Sequence, residues 1–333
     1  MRIVILTEGG ASKGLGHVAR AVAVCEGFKE RGIKCDVMVD TDVNLAEFFQ
    51  GMIYYHHQWI SSVETIKHLT CGADIVVFDS YFASVKVCEV VSQHARLAVF
   101  FDDFNRINYP KGFVFNAGVS ISTKIYPQVF GVKYFFGSLF TPLRREFWDI
   151  EPHPIRQEIK KVFVIFGGVD KRRFMLKIMN CLLDKFSGFE YSIVVGSAFN
   201  DDSSFERMVK HASVKIYRSL SAKQIFELMR EADVAISAAG QTICELARFG
   251  LPTVGVLTAE NQRFQLRTMI DSDFAVDGGC ADDSNVLAQI VCGLGQLSSV
   301  NERRRRSSAG RRLIDGQGVR RCVDVILKEM ERI

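Results

Sequence analysis

The amino-acid sequence predicts an α/β protein with two doubly wound, Rossmann-like domains. Its 333 residues suit two domains of ordinary size. Short, nearly continuous apolar runs alternate with stretches of helical period, a pattern typical of a parallel sheet covered on both faces. The alternation stops once, near residues 142–160, and then starts again. We therefore predict domains at residues 1–150 and 151–333.

The first half begins with a strand over residues 2–6 and a helix from about His17 to Glu30. The helix is predicted because apolar side chains recur along it at spacings of three and four. A second helix is predicted over Ser84–His94. Further strands are predicted at residues 35–39, 73–79 and 96–103.

The break at 142–160 holds three of the chain's six prolines and many charges without a clean period, which indicates a linker. After it, a strand over 161–168 runs into a Gly-Gly turn and a helix over about 172–186. Further strands are predicted at 191–196, 213–217, 233–237 and 252–257, and helices near 203–211, 221–231, 241–249 and 260–270. Residues from about 284 to 331 are predicted to be mainly helical.

Composition narrows the class of protein. Hydrophobic residues make up 48% and charged residues 24%, and the net charge is +4. The basic run at 302–306 has no interleaved aromatic residues, so we interpret it as the solvated face of a helix and expect no nucleic-acid partner. No apolar run approaches the 18 residues of a membrane span, and the first one is too short for a signal peptide. We therefore expect no membrane partner.

The nine cysteines are scattered, odd in number and never spaced as C-x-x-C. This pattern predicts buried thiols in a reducing compartment, with neither a disulfide framework nor a zinc site. A cytoplasmic location is the prediction.

In doubly wound sheets, ligands bind beyond the carboxyl ends of the strands. Two such domains are expected to face each other across a cleft. The loops expected to line it are 7–17, 79–83, 102–106, 166–171, 237–242 and 257–262.

The first loop contains "KGLGHVAR", residues 13–20. Gly14 and Gly16 let the backbone turn sharply and approach a ligand closely. His17 would lie at a helix N-terminus, where the helix dipole disfavours the imidazolium, so a neutral imidazole could act as a general base. A surface histidine is the alternative interpretation. Arg20, one turn on, would bind an anion or form a surface ion pair.

Carboxylates follow the next two strands. Asp79, which precedes Ser80 and Tyr81, has little to satisfy it there except backbone amides, a histidine or a ligand, and beside His17 it would raise the basicity of the imidazole. Asp102 and Asp103 suggest a metal, but that loop lacks further ligands. Capping and backbone hydrogen bonds are the favoured interpretation for this pair.

The second half offers two more glycine turns. "FGGVD" at 166–170 is a weak signal, whereas "SAAGQTICE" at 237–245 leads from a small-residue loop straight into a helix. Such an N-terminus suits a diphosphate. Glu245 could accept hydrogen bonds from ribose hydroxyls or be a surface glutamate favoured by the dipole. "AENQ" at 259–262 brings amide side chains to the same sheet edge.

Taken together, these motifs resemble the nucleotide-sugar hydrolases of pseudaminic acid biosynthesis (the PseG family), which have the two-domain GT-B glycosyltransferase-like fold. The similar elements follow one another in the family's order from residue 1 to about 325. They are G-x-G-H-x-x-R at 14–20, D-x-Y at 79–81, the paired aspartates at 102–103, "LFTPLRREF" at 139–147 (Phe140 where the family has tyrosine), G-G-x-D at 167–170, the loop at 237–245, N-Q at 261–262 and "LIDGQGVRR" at 313–321.

The resemblance implies hydrolysis of UDP-2,4-diacetamido-2,4,6-trideoxy-β-L-altrose to UDP and the free sugar, with water replacing a sugar acceptor. His17 would be the general base, the glycines of its loop would shape the turn, and Tyr81 and Asn261 would position sugar and water. The residues implied to bind UDP are Ser237, Gly240, Gln241, Thr242 and Glu245. The substrate site is further expected to include Gly14, Gly16, Arg20, Asp79, Gly167, Gly168 and Gln262. No metal and no redox cofactor is expected.

Three alternatives remain at this point. An inverting glycosyltransferase of the same fold would use His17 to activate an acceptor hydroxyl. A non-catalytic nucleotide-sugar-binding protein would keep the fold without turnover. A Rossmann dehydrogenase is disfavoured because the first turn lacks the third glycine. The sequence leaves open the exact sugar, the oligomeric state (a monomer included), the residue that orients His17 and the role of the C-terminal helical tail.

Overall fold

The structure, a computed structural model, describes residues 1–10, 13–49, 51–118, 126–167, 174–196, 211–218 and 220–333. For Glu47 it describes the backbone only. The chain divides into two compact units. The first comprises Met1–Trp148 together with Gly316–Ile333, and the second comprises Asp149–Asp315. No helix in the described ranges is long and apolar enough to cross a membrane.

The first unit is built on a parallel sheet of strand order β3-β2-β1-β4-β5-β6-β7. Its strands are β1 (Ile3–Gly9), β2 (Cys35–Thr41), β3 (Tyr54–His56), β4 (Ile75–Asp79), β5 (Leu97–Phe101), β6 (Gly112–Asn116) and β7 (Val132–Phe136). Its helices are α1 (Gly16–Glu30), α2 (Ala46–Phe49), α3 (Val63–Thr70) and α4 (Val85–His94). Short 3₁₀ turns follow at Ser138–Phe140 and Arg145–Phe147.

The second unit repeats this architecture, with strand order β10-β9-β8-β11-β12-β13, all parallel. Its strands are β8 (Lys161–Ile165), β9 (Glu190–Val195), β10 (Val214–Arg218), β11 (Val234–Ala238), β12 (Thr253–Leu257) and β13 (Ala275–Cys280). The helices described are α5 (Phe174–Lys185), α6 (Ala222–Glu231), α7 (Gln241–Phe249), α8 (Arg263–Asp271), α9 (Val286–Gln296) and α10 (Val300–Leu313), with a 3₁₀ turn at Glu260–Gln262 before α8. A last helix, α11 (Gly318–Met330), belongs to the first unit.

Both sheets reverse their strand order beside their first strand, between β1 and β4 and between β8 and β11. At such a switch point the flanking loops diverge and leave a crevice beyond the carboxyl ends of the strands. The residues that follow β1 and β4, and those that follow β8 and β11, are therefore the natural ligand-binding positions in each unit.

The predicted strands of the sheet interiors are present, and the strands that the sequence pattern missed lie mainly at sheet edges. β3, β7 and β13 are outermost strands. Each buries less than the central strands, and β13 also contains Gly278 and Gly279, so none shows a continuous apolar run. β6, with α2 and α3, was also not predicted. Residues 203–210 of the helix predicted near 203–211, and the start of the one predicted from 172, lie outside the described residues.

The C-terminal residues differ from the predicted division. We placed everything after residue 150 in the second domain, but α11 packs on α1 in the first unit. Gly27 of α1 permits the close approach, because a Cβ there would lie 2.3 Å from Val319 Cγ1. The predicted linker is also less exposed than expected, since Phe147 and Trp148 are buried.

The basic run at 302–306 is not the solvated face that its composition predicts. Arg303 is 1% exposed. Its guanidinium donates to the carbonyls of Leu297, Ser298, Arg156 and Gln157 at 2.6–2.9 Å. Arg306 is also buried and donates to the Ala275 carbonyl. These arginines satisfy main-chain oxygens inside the second unit, and only part of the run faces solvent.

The cysteines are all free thiols. Cys25, Cys88, Cys244 and Cys322 are buried as predicted, whereas Cys71 and Cys292 are exposed. The prediction of uniformly buried thiols is therefore wrong for these two.

Candidate active site

The turn after β1 is held by its own backbone. The N–H and C=O groups of Gly10 and Gly14 bond to each other reciprocally, at 3.0 and 2.9 Å. Gly14 has φ +75°, a conformation that favours glycine. Gly16, by contrast, already begins α1 without a positive φ. The sharp turn predicted for both glycines is therefore made at Gly14.

His17 lies in the first turn of α1 and is buried, with 5% of its surface exposed. Its Nδ1 lies 2.6 Å from Oδ1 of Asp79, the last residue of β4. The surface-histidine interpretation is therefore wrong. Asp79 is the residue that orients the imidazole, which the sequence had left open. Among the described residues, Nε2 has no hydrogen-bond partner.

Arg20 lies one turn further along α1 and binds two carboxylates. Its Nε and Nη2 donate to the two oxygens of Asp79, both at 2.7 Å. Its Nη1 donates to Asp103 Oδ1 at 2.7 Å, and its guanidinium stacks over the Phe101 ring at 5.4 Å. Arg20 is therefore neither a surface ion pair nor free for an anion, because its charge neutralises the buried carboxylate of Asp79 and the half-buried one of Asp103.

Tyr81 also contacts the imidazole of His17. Its ring meets that of His17 edge-on, with centroids 4.2 Å apart and an angle of 88° between planes. Its hydroxyl donates to Asp103 Oδ2, and its ring contacts Phe104 at 5.2 Å. Asp103 thus joins Arg20 to Tyr81.

These contacts determine which groups are charged. Burial alone would raise the pKa of Asp79, but the charge of Arg20 and the hydrogen bonds from His17 and Arg20 outweigh it and hold the pKa well below its usual range. Arg20 likewise holds the pKa of Asp103 below its usual range against the effect of burial. Burial and the neighbouring Asp103 raise the pKa of Tyr81, so its phenol stays protonated.

The paired aspartates have separate roles. Asp102 fits the prediction, since it accepts from the backbone N–H of Phe104 and Arg106 and from the Tyr126 hydroxyl. Asp103 does not fit it, because it bonds to side chains of the site and not to backbone. Sequence reasoning missed the role of Asp103, because two adjacent acids look alike in the sequence and give no signal of different partners. No cluster of three metal-ligating side chains occurs among the described residues.

In the second unit, the loop after β11 leads into α7 as predicted. Gly240 is the N-cap residue, with no side-chain cap and no acid in the first turn of the helix. Gln241 and Thr242 begin the helix and are half-buried. Ser237 is buried within β11, and its hydroxyl donates to the Ala238 carbonyl at 2.9 Å.

Glu245 is buried, with 1% of its surface exposed. The interpretation as a surface glutamate is therefore wrong. Gly167 follows β8 with φ +87°, so the backbone does turn there. Gly168 lies outside the described residues, as does the rest of the G-G-x-D motif.

The loop after β12 also reaches α7. Gln262 accepts from the N–H and hydroxyl of Thr258 at 3.2 and 3.0 Å, and Asn261 is exposed beside it. Gln265, which sequence reasoning missed, donates from Nε2 to the carbonyls of Ala239 and Gly240 at 3.0 and 2.7 Å. It braces the loop in front of α7, and its position three residues after the N-Q motif is the signal that could have found it.

Solved structures of other proteins share this fold. The chain is similar over 98% of its length to all of the solved structure of Acinetobacter baumannii MurG, with a TM-score of 0.62 and 15% identity. It is similar over its whole length to 98% of the S. aureus MnaA–UDP structure, with a TM-score of 0.67 and 10% identity. The two units therefore have the GT-B glycosyltransferase fold.

The chain matches no protein-family model. It is, however, similar in sequence to individual proteins. It is 24% identical to the Bacillus subtilis spore coat polysaccharide biosynthesis protein SpsG, over 99% of this chain and 98% of that one. It is 23% identical to the Helicobacter pylori pseudaminic acid cytidylyltransferase and UDP-2,4-diacetamido-2,4,6-trideoxy-beta-L-altropyranose hydrolase, over 80% of this chain. This similarity confirms the resemblance found in the motifs.

Two of these relatives are longer than the matched region. The chain spans 46% of the Helicobacter pylori protein. It spans 57% of the uncharacterized protein MJ1062 of Methanocaldococcus jannaschii, to which it is 24% identical over 79% of its own length.

Proposed function

We propose that this chain is a nucleotide-sugar hydrolase that releases UDP and free 2,4-diacetamido-2,4,6-trideoxy-L-altrose from the UDP-sugar. The observation that carries the proposal is the hydrogen bond between His17 and Asp79. With Nδ1–H donated to a buried carboxylate, the lone pair of the imidazole is on Nε2. That atom is then the general base.

The chemistry balances without a cofactor. A water oxygen bonds to the anomeric carbon while one of its protons passes to Nε2 of His17. The bond from that carbon to the diphosphate oxygen breaks, and UDP leaves with the electron pair. The negative charge of Asp79 stabilises the imidazolium formed, as in other base–carboxylate pairs.

The N-terminus of α7 suits the leaving group. Its N-cap residue is Gly240, which has no side chain to cap the helix, and no acid lies in its first turn. The positive end of the helix dipole and its main-chain N–H groups stabilise a diphosphate without a metal. We assign this end of the second unit, with Gln241 and Thr242, to the diphosphate.

The name of the Helicobacter pylori relative supports hydrolysis of this UDP-sugar, and the full-length match to SpsG supports a role in polysaccharide biosynthesis. Transfer to a sugar acceptor is the competing function. It is favoured by the fold, which MurG and the spinosyn rhamnosyltransferase SpnG share. Binding of a nucleotide sugar without turnover is the other alternative.

Incubation with the UDP-sugar alone, followed by chromatography of UDP, separates these functions. A hydrolase releases UDP with no acceptor present, and in ¹⁸O-water the UDP stays unlabelled because the carbon–oxygen bond breaks. His17→Gln should lower kcat by about 10²-fold or more while UDP still binds. His56→Gln, which changes an exposed histidine, is the matched control.

Absence of UDP release by the unsubstituted protein would favour transfer or simple binding. A turnover rate equal in the two histidine variants would contradict the assignment of His17 as the base.

A further inference from the structure

Glu8, near the end of β1, is a fully buried carboxylate that the mechanism above does not use. Its Oε2 accepts a hydrogen bond from the Ser80 hydroxyl, and its Oε1 accepts one from the Tyr81 N–H, both at 2.6 Å. Among the described residues, no cation pairs with it. Burial of such a carboxylate is unfavourable unless its acceptors are fully used.

The hydrogen bonds continue into the turn after β4. The Ser80 hydroxyl uses its hydrogen in the bond to Glu8. The oxygen of Ser80 therefore accepts hydrogen bonds from the N–H groups of Phe82 and Ala83, at 3.1 and 3.0 Å. One carboxylate therefore holds the turn 80–83 directly at Tyr81 and through Ser80 at the two residues that follow.

This turn connects two groups that contact the imidazole. Asp79 precedes it and binds Nδ1 of His17, and Tyr81 lies within it and packs against the ring. β1 and β4 are neighbours in register, with Thr7 opposite Asp79, so Glu8 lies directly beside the turn.

We propose that Glu8 is a positioning residue, which fixes the turn 80–83 so that Asp79 and Tyr81 hold His17 in the orientation of a base. The effect on turnover rests on the proposed function, whereas the orientation of the ring does not. The position requires a group that accepts two hydrogen bonds and donates none. A carboxylate does so, but an amide of the same shape has one oxygen and one donating nitrogen.

Glu8→Gln is therefore the sharpest substitution, because it keeps the volume and removes one acceptor. Thr7→Val is its matched control, since the neighbouring Thr7 hydroxyl is buried with no hydrogen-bond partner among the described residues. The readout of orientation is the proton resonance of His17 Nδ1–H, shifted downfield by its short bond to Asp79 and assigned by its loss in His17→Gln.

In Glu8→Gln we expect this resonance to move or broaden and kcat for UDP release to fall about tenfold, with KM changed less than twofold. Thr7→Val should leave the resonance, kcat and the melting temperature unchanged. Ser80→Ala, which removes one of the two bonds but keeps Glu8, should shift the resonance in the same direction. It remains informative if Glu8→Gln does not fold.

An unchanged resonance in both Glu8→Gln and Ser80→Ala would overturn the inference. So would an equal loss of kcat in Thr7→Val. If the unsubstituted protein releases no UDP, the proposed function fails, while the resonance still decides the role of Glu8.

Discussion

Asp79 holds His17 through a hydrogen bond of 2.6 Å between Oδ1 and Nδ1, and both side chains are buried. Arg20 Nη2 lies 3.2 Å from the same Nδ1. Since the N–H of Nδ1 is donated to Asp79 in a hydrogen bond, the N–H group of Arg20 faces a second donor at Nδ1. The contact between Arg20 and Nδ1 is therefore not a hydrogen bond. Arg20 therefore stabilises the Asp79 carboxylate that orients the imidazole.

Asp79→Asn should lower kcat by about 10²-fold or more, because an amide can place its N–H₂ group against Nδ1 and does not stabilise the imidazolium. Steady-state UDP release measures this. Asp102→Asn is the control at the same sheet edge. Burial raises the pKa of Asp102, so a neutral side chain is better tolerated there, and kcat should stay within about threefold. Equal losses of kcat in both variants would contradict a specific role of Asp79 at the imidazole.

Arg20→Met should destabilise the protein by about 3–5 kcal/mol, since it leaves the buried carboxylate of Asp79 and the half-buried carboxylate of Asp103 without their cation. Urea unfolding at pH 7 measures this. Arg31→Met, which breaks an exposed pair with Asp324, should cost no more than about 1 kcal/mol.

The pH dependence supplies a second check on the same substitution. The pKa values of Asp79 and Asp103 are lowered in the folded protein, so their contribution is present above the unfolded value, about 3.9, and is lost as the pH falls through the folded values. The difference in unfolding free energy between Arg20→Met and the unsubstituted protein should therefore shrink below about pH 4. A difference that does not change with pH would contradict the ion-pair interpretation.

Gly14 and Gly16 should respond differently to alanine. Gly14→Ala introduces a Cβ at φ +75° and should cost about 1–2 kcal/mol of stability. A Cβ at Gly16 meets no described atom within 4 Å, and alanine favours the helix. Gly16→Ala should therefore fold at least as well, yet raise KM for the UDP-sugar about tenfold if the ligand approaches this backbone closely. Thermal melting and steady-state kinetics separate the two effects, and an unchanged KM would place the ligand elsewhere.

Much of the fold could be predicted because the central strands are continuous apolar runs. Pattern alone finds β1, β4, β5 and β8 because both of their faces are buried. β3 and β7 are outermost strands with exposed residues, so their sequences carry no such signal. The position of α11 could not be predicted either. Its helical period shows an apolar face but not which unit covers that face.

The residues of the candidate site also differ in how far the sequence could predict them. His17, Asp79 and Tyr81 lie in motifs at the ends of apolar strands, where a polar residue is conspicuous. Glu8 stands at the end of such a strand too, but its role depends on two hydrogen bonds that only the folded turn creates. Arg20 was predicted to bind an anion or to form a surface ion pair, and no pattern in the sequence indicates that Asp79 and Asp103 would both pair with it.

Gln265→Met should weaken UDP binding about tenfold, because the loop in front of α7 loses the amide that donates to the carbonyls of Ala239 and Gly240. Isothermal titration calorimetry with UDP measures this without requiring turnover. Arg267→Gln lies on the same helix and breaks only an exposed pair with Asp271, so it should leave the Kd unchanged. Equal affinities in the two variants would contradict a role of Gln265 in shaping the loop in front of α7, which we propose binds the diphosphate.

His153 should make the protein sensitive to mild acid. It is 4% exposed, and neither ring nitrogen has a hydrogen-bond partner among the described residues. Burial, with the nearby charge of Arg156, lowers the pKa of His153 to about 4. Unfolded chains take up this proton near pH 6.5, so the contribution to stability is complete above that value and is lost as the pH falls towards 4. At about 1.4 kcal/mol for each pKa unit, this protonation lowers the free energy of unfolding by roughly 3 kcal/mol.

His153→Leu should flatten this part of the stability profile in urea unfolding between pH 7 and 4, whereas His56→Gln should not. A profile as steep in His153→Leu as in the unsubstituted protein would show that other groups cause the acid sensitivity.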